Sequence, residues 1–178
     1  GIQCRIFNKI VPFVNMFMNN RDHRKILVVD GKTAFTGGIN IADEYINVTT
    51  RFGYWKDTGV RIEGKAVWNF TAMLLQMWNF ANHSTENYLA YKPQINWKKQ
   101  YESDGYVQPY ADSPIDHENQ AENIYLNIIN YAKDYVYIFT PYLIIDEEMC
   151  VALCNAAKSG VDVRIVTPGI PDKKLVFL

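Results

Sequence analysis

The residues most able to do chemistry lie near the start of the chain. They form Asp22-His23-Arg24-Lys25-Ile26-Leu27-Val28-Val29-Asp30 and, beyond Gly31, Gly37-Gly38-Ile39-Asn40. On an extended chain, residues two apart project to the same side, so His23 and Lys25 leave one edge together. An imidazole beside an ammonium suits phosphate chemistry. The histidine can attack phosphorus while the lysine balances charge on the non-bridging oxygens. Gly37 and Gly38 permit close backbone approach, and the Asn40 amide can donate to a phosphoryl oxygen. A lone His-x-Lys is common by chance. The spacing H-x-K-x4-D-x6-G-G-x-N fixes six positions in eighteen residues and is much rarer.

Such positions need elements to hold them. Residues 25–29 are a β-branched run ending in the turn signal Asp30-Gly31, and residues 33–36 offer the return, so a hairpin is predicted over 25–36. It carries Gly37-Gly38-Ile39-Asn40 back towards His23. Residues 2–7 read as a strand, Asp43 as the cap of a short helix through Tyr45, and 58–63 as an alternating strand. A helix over 65–82, apolar over most of its circumference, belongs inside a core or interface. Residues 83–104 are polar, carry Pro93 and lack periodicity, which marks a linker. The pattern then changes to a strand at 106–110 and a helix at 117–133 with an acidic start (Asp116, Glu118, Glu122). A strand at 135–140 stops at Pro141, and a helix at 146–158 is closed by Ser159-Gly160. A strand of the fully buried type at 161–167 stops at Pro168-Gly169. This alternation is the grammar of an α/β sheet.

The chain has 178 residues, 48% apolar and 21% charged, which excludes disordered and collagen-like classes. A length of this order buries about 70% of the unfolded surface and needs no metal or disulfide to fold. The net charge of −1 argues against wholesale nucleic-acid binding. Residues 1–32 nonetheless hold six bases and two acids, a local hint of an anionic ligand. Cys4, Cys150 and Cys154 cannot close a disulfide framework, so a reducing compartment is expected. Cys150 and Cys154 sit at helical spacing with no ligand histidine nearby and read as core residues rather than metal ligands. His83 and His117 lack a companion lysine and read as loop or helix-start residues. The most apolar stretch, 66–81, is interrupted by Asn69, Thr71, Gln76 and Asn79 and is too short for a bilayer, so the polypeptide is expected to be soluble. Gly1 at the start and the apolar run ending at Leu178 read as the ends of an excised piece.

With His23, Lys25, Asp30, Gly37, Gly38 and Asn40 in place, the sequence resembles the phospholipase D superfamily, and within it the bacterial cardiolipin synthases. The resemblance continues through Asn20-Arg21-Asp22, Ile41-Ala42-Asp43-Glu44-Tyr45, Arg51-Phe52-Gly53-Tyr54-Trp55-Lys56-Asp57 and Arg61-Ile62-Glu63-Gly64. It extends to Thr140-Pro141-Tyr142 and to Gly160-Val161-Asp162-Val163-Arg164-Ile165 with Pro168-Gly169. It implies an α/β fold of phospholipase D type, a mixed β-sheet flanked by helices. The implied activity is a phosphatidyl transfer. Two phosphatidylglycerols become cardiolipin and glycerol through a phosphohistidine, with no metal and no cofactor.

By the same resemblance the catalytic residues are His23, the nucleophile, Lys25 and Asp30, the last in a structural part. Lys25, Asn40, Gly37 and Gly38 bind the substrate phosphate, and Asp57 either orients the histidine or is an exposed turn aspartate. The implied partner is phosphatidylglycerol or another anionic phospholipid, not nucleic acid. The parent lies at the bacterial cell membrane with its catalytic part cytoplasmic. Tyr54-Trp55 and Pro141-Tyr142 serve as core aromatics or, alternatively, touch lipid at the interface. Two rivals remain: another phosphodiesterase or nuclease of the superfamily, and an inactive piece that only binds anionic phosphate.

The family carries two such motifs in one chain, and this sequence has one. Residues 1–83 therefore resemble the back half of a first phospholipase D-like domain, 84–104 a linker, and 105–178 the front half of a second. Two arrangements would let the halves fold. In one they form a single permuted domain, with strands 135–140 and 161–167 joining the sheet of 25–29. In the other the chain is a homodimer that sets two copies of His23 face to face.

Overall fold

The structure, a computed structural model, describes residues 1–7, 22–95, 105–113 and 118–170. Its first sheet is antiparallel, in the order β1 (Ile26–Val29), β2 (Thr33–Gly37), β3 (Gly59–Glu63). The predicted hairpin is formed by β1 and β2, with Ile26 opposite Thr36 and Val29 opposite Thr33. Asp30 and Gly31 take φ of 53° and 64°, and Lys32 N–H donates to Val29 C=O at 2.9 Å. Two consecutive positive φ values are what a turn matching strand twist demands, which is why Asp-Gly stands there. In β3, Ile62 lies opposite Ala34 and Gly59 opposite Gly37.

Alternation gives this sheet one buried face. Ile26, Val28, Ala34 and Ile62 meet Val67 and Phe70 of α1 (Val67–Asn82), while Leu27, Val29 and Phe35 on the other face are exposed. Helix α1 buries Val67, Phe70, Thr71 and Leu75, a single stripe, and leaves Leu74 and Phe80 exposed. It joins the sheet's core through that stripe. The segment after it makes one 3-10 turn at Tyr88–Tyr91, and Pro93 packs against Gly31 of the hairpin turn.

The second region contains α2 (Gln120–Tyr131), β4 (Tyr135–Phe139), α3 (Glu147–Lys158) and β5 (Asp162–Val166). Here β4 and β5 pair in parallel, with Tyr135 opposite Asp162 and Phe139 opposite Val166, and α3 supplies the crossover. Helix α3 starts where Asp146 accepts from Met149 N–H at 2.9 Å, with Glu147 and Glu148 in its first turn and Lys158 in its last. Charges of that order favour both ends of the helix dipole. Ile129, Val136, Ala152, Leu153, Ala156 and Val161 form the core between the helices and this sheet.

Several expectations are corrected. Strands β4 and β5 form their own two-stranded sheet and do not join β1–β3, so the single-sheet permuted domain is not what forms. Strand β5 is exposed at four of its five positions, not fully buried, because the described residues cover only one face of its sheet. Residues 2–6 form no strand: they lie beside the end of α1, with Arg5 donating to Asn82 at 2.6 Å and Phe7 against Phe80. No helix follows Asp43; its carbonyl accepts from Val48 N–H at 3.0 Å and closes a turn instead. Residues 106–110 are irregular, and α2 begins at Gln120 rather than at His117, which lies outside the described residues. The linker is described only as far as residue 95.

Candidate functional site

Antiparallel order brings three chain segments to one end of the first sheet: the start of β1, the end of β2 and the start of β3. His23 and Lys25 precede β1, Gly38 and Asn40 follow Gly37 at the end of β2, and Asp57 precedes β3. Lys25 Nζ lies 2.9 Å from Nε2 and 3.0 Å from Nδ1 of His23, and donates to the His23 carbonyl at 2.7 Å. A neutral imidazole has one lone pair in its plane, so a single ring nitrogen accepts from the ammonium at a time. The pair is held on its side of the chain by its neighbours. Arg24 grips Asp22 with two forks, Nε to Oδ1 at 2.8 Å and Nη2 to Oδ2 at 2.9 Å, and the Arg24 N–H adds a third bond. Asp22 and Arg24 alternate with His23 and Lys25, so this clasp sends the reactive pair the other way.

Electrostatics follow from that packing. Burial pushes the Lys25 ammonium below its ordinary value, against the opposing pull of Asp22 and Asp57. Burial also raises the Asp22 carboxyl, but the Arg24 hydrogen bonds and charge, with Lys25 behind them, outweigh it and hold the group low.

The two glycines have a steric reason. A Cβ at Gly37 would stand 2.6 Å from the Thr58 carbonyl oxygen, and one at Gly38 would stand 2.6 Å from Asp57 Oδ1. The expected bond from Asp57 to His23 is not made. Asp57 Oδ1 accepts from Thr58 N–H at 2.7 Å and Oδ2 faces the Trp55 indole N–H at 3.4 Å, and its charge is one of the two that favour the Lys25 ammonium. Asn40 is half-buried at the same end, with its carbonyl accepting from Ala42 N–H. Asp30 is not at this end. It occupies the turn at the far end of β1, about 20 Å away along an extended strand.

Among the described residues, one group could offer three ligands to a metal: Glu122, Asp146 and Glu148, in the second region. Asp146 already caps α3, and the adjoining cleft between α2 and α3 is open and lined partly by Glu147 and Glu148. None of these residues belongs to the His23 end. Sequence reasoning missed the Asp22–Arg24 clasp, although opposite charges two apart, out of phase with His23 and Lys25, were the signal for it.

Residues 125–177 match the family model described as the PLD-like domain of cardiolipin synthase. The chain is 36% identical over 177 residues to a protein named cardiolipin synthase from Listeria welshimeri, and 38% identical over 181 residues to one from Alkalihalophilus pseudofirmus. Over residues 125–177 the chain is thus similar to a PLD-like domain of the cardiolipin synthase kind. A third relative, a Streptococcus mutans protein described as uncharacterized, is 57% identical over 178 residues. Each of these alignments takes in 99% of this chain but only 38%, 36% and 35% of the Streptococcus, Listeria and Alkalihalophilus proteins respectively. The chain thus spans little more than a third of the length of the curated relatives it matches. No solved structure matches it. The cardiolipin synthase domain match covers β4, α3 and β5, whereas His23, Lys25 and Asp57 lie outside it and are reached by the full-length alignments. No helix among the described residues is long and apolar enough to cross a membrane.

Proposed function

We propose that the His23 end of the first sheet is a phosphate-handling half-site of a phosphatidyl transferase of the cardiolipin synthase type. The supporting observation is the contact between the His23 imidazole and the Lys25 ammonium, at the sheet end where Gly38 meets Asp57. In this reading His23 attacks the phosphorus of phosphatidylglycerol. A P–N bond forms, the P–O bond to glycerol breaks, and the departing alkoxide takes a proton from a second histidine outside this chain's motif. That histidine then removes the proton of the incoming hydroxyl, whose attack breaks the P–N bond and releases cardiolipin. Lys25 turns from the imidazole to the non-bridging oxygens, and the Asn40 amide donates to one of them. Asp57 anchors the ammonium, and Asp30 shapes the hairpin. The parent protein works at the cell membrane on anionic phospholipid.

Titration of the 178-residue chain with inorganic phosphate, followed by ³¹P NMR, tests the half-site. Binding should weaken with salt and as pH rises through the depressed Lys25 value. Lys25→Ala should lose about tenfold in affinity, equivalent to about 1.4 kcal/mol. Equal binding by Lys25→Ala would remove the site. A second reading, phosphate binding without turnover, is favoured by the presence of one His-x-Lys set among three histidines. Chromatography of lipids after incubation with phosphatidylglycerol separates the two, since only the transferase yields cardiolipin and glycerol. A parallel DNA cleavage assay addresses the nuclease alternative.

A further inference from the structure

Asp57 does not hold itself against Gly38. Its carboxylate is reached through a loop that one side chain fastens. Asn47 lies in the left-handed region, with φ of 59°, and its amide makes reciprocal bonds to the backbone of Trp55. Asn47 Nδ2 donates to the Trp55 carbonyl at 2.8 Å, and the Trp55 N–H donates to Asn47 Oδ1 at 2.6 Å. The Trp55 ring is then fixed edge-on to Tyr45, with centroids 4.6 Å apart, and its indole N–H faces Asp57 Oδ2 at 3.4 Å. The other carboxylate oxygen sits where a Gly38 side chain would be.

We propose that Asn47 and Trp55 are positioning residues that hold the Asp57 carboxylate against Gly38, at the sheet end that also carries His23 and Lys25. Neither touches the imidazole or the ammonium, and both act through Asp57. Their importance to catalysis rests on the proposed phosphate half-site, but the geometry they impose does not. The indole contact is long for a hydrogen bond and yields one soft restraint; the amide clamp, with both bonds at 2.8 Å or less, supplies the stiffness. An asparagine suits the position twice over. It tolerates a positive φ, and its side chain offers one donor and one acceptor at the separation a single residue's backbone presents.

The Lys25 ammonium reports that placement. The groups facing it are the His23 imidazole and the Asp22 and Asp57 carboxylates, and the two carboxylates pull its titration upwards against burial. The experiment is an NMR titration of Lys25 in the 178-residue chain labelled at lysine. Asp57→Asn removes one pull, so the midpoint should fall. Trp55→Phe keeps the ring and its contact with Tyr45 but deletes the N–H; the midpoint should fall in the same direction, by less. Asn47→Gly keeps the left-handed backbone and deletes the clamp, and should fall likewise. Trp55→Phe combined with Asp57→Asn should match Asp57→Asn alone, because the indole acts only through that carboxylate. Melting curves of each variant show whether it is folded, and a merely structural role for the clamp would change those and leave the midpoint in place. A Lys25 midpoint unmoved in folded Trp55→Phe and Asn47→Gly overturns the proposal, as does additivity in the double variant. If phosphate fails to bind the unsubstituted chain while these midpoints still move, the half-site reading fails and the positioning role stands.

Discussion

The two sheets of this chain are paired by different means. In β1–β3 each partner is a sequence neighbour or joined through a loop, and a three-residue turn at Asp30-Gly31-Lys32 sets the register. In β4–β5 the strands run parallel, so α3 must cross between them and the register depends on how that helix packs. The burial differs accordingly. The first region buries a small set of side chains around Ala34, Val67 and Phe70, and the second builds a larger core around Leu153. The proposed phosphate site lies with the smaller core, where three strand ends meet. The cardiolipin synthase domain match lies with the larger one. Parallel sheets normally have both faces covered, yet Tyr135, Tyr137, Phe139 and Val166 are exposed on the outer face here. Polar groups soften that face: Tyr137 O–H donates to Asp162 at 2.7 Å, and Arg164 bonds the same carboxylate while lying over the Tyr137 ring.

If the regions are as separate in stability as their two core clusters are in packing, the strongest test is to damage the larger core. Leu153 is 6% exposed among Ile129, Val136, Ala156 and Val161. Leu153→Ala should cost about 2–5 kcal/mol through lost transfer energy and a residual cavity. Hydrogen exchange should then quicken at β4 and β5 amides and leave β1 and β2 amides protected. Equal loss of protection in both sheets would break the comparison and show one cooperative unit.

What the sequence made legible follows the range of the interactions involved. The hairpin, α1, α3 and the β4–α3–β5 order rest on local signals: Asp-Gly, apolar periodicity, the Asp146 cap and Ser159-Gly160. The pairing of His23 with Lys25 follows from alternation alone. Other features depend on contacts that no local pattern encodes. Residues 2–6 are β-branched enough for a strand but find the end of α1 instead of a strand partner. The buried look of β5 presumes a second covering layer that the described residues do not provide. Asp57 reads in the sequence as a carboxylate near the histidine, but its partners are set by a Gly38 contact across the sheet and by a clamp at Asn47, ten residues upstream.

A smaller effect should come from the clasp that orients the reactive pair. Asp22→Asn leaves the half-buried Arg24 guanidinium without its fork partner and should cost about 1–2 kcal/mol. The pH dependence has a definite sign. Because the folded carboxyl lies below 3.8, its contribution is complete above the unfolded value and disappears as pH falls through the folded one. Urea melts of the two proteins should therefore differ by a constant amount above about pH 5 and converge in acid. Lys25 should also lose order, so broadened His23 and Lys25 resonances in Asp22→Asn would tie the clasp to the site. Convergence at neutral pH would show that the Arg24 bridge contributes nothing.

The smallest effect is expected in the second region, at the cysteines. Cys150 and Cys154 do share a face of α3, as their spacing requires, but it is the outer one. At about 100° per residue they fall close together, while Ala152, Leu153 and Ala156 cluster on the opposite side. Both thiols are exposed, as is Cys4, which corrects the expectation that the pair is core. A double Cys150→Ser, Cys154→Ser variant should therefore change stability by no more than about 0.5 kcal/mol, in contrast to Leu153→Ala three positions along. Rapid reaction of all three thiols with a thiol reagent in the native chain checks the premise directly. Protection of Cys150 and Cys154 while Cys4 still reacts would mean that the outer face of α3 is covered in solution. A homodimer seated there would restore part of the covering that a parallel sheet and its helices lack, and the cysteine substitutions would then carry a cost that rises with protein concentration.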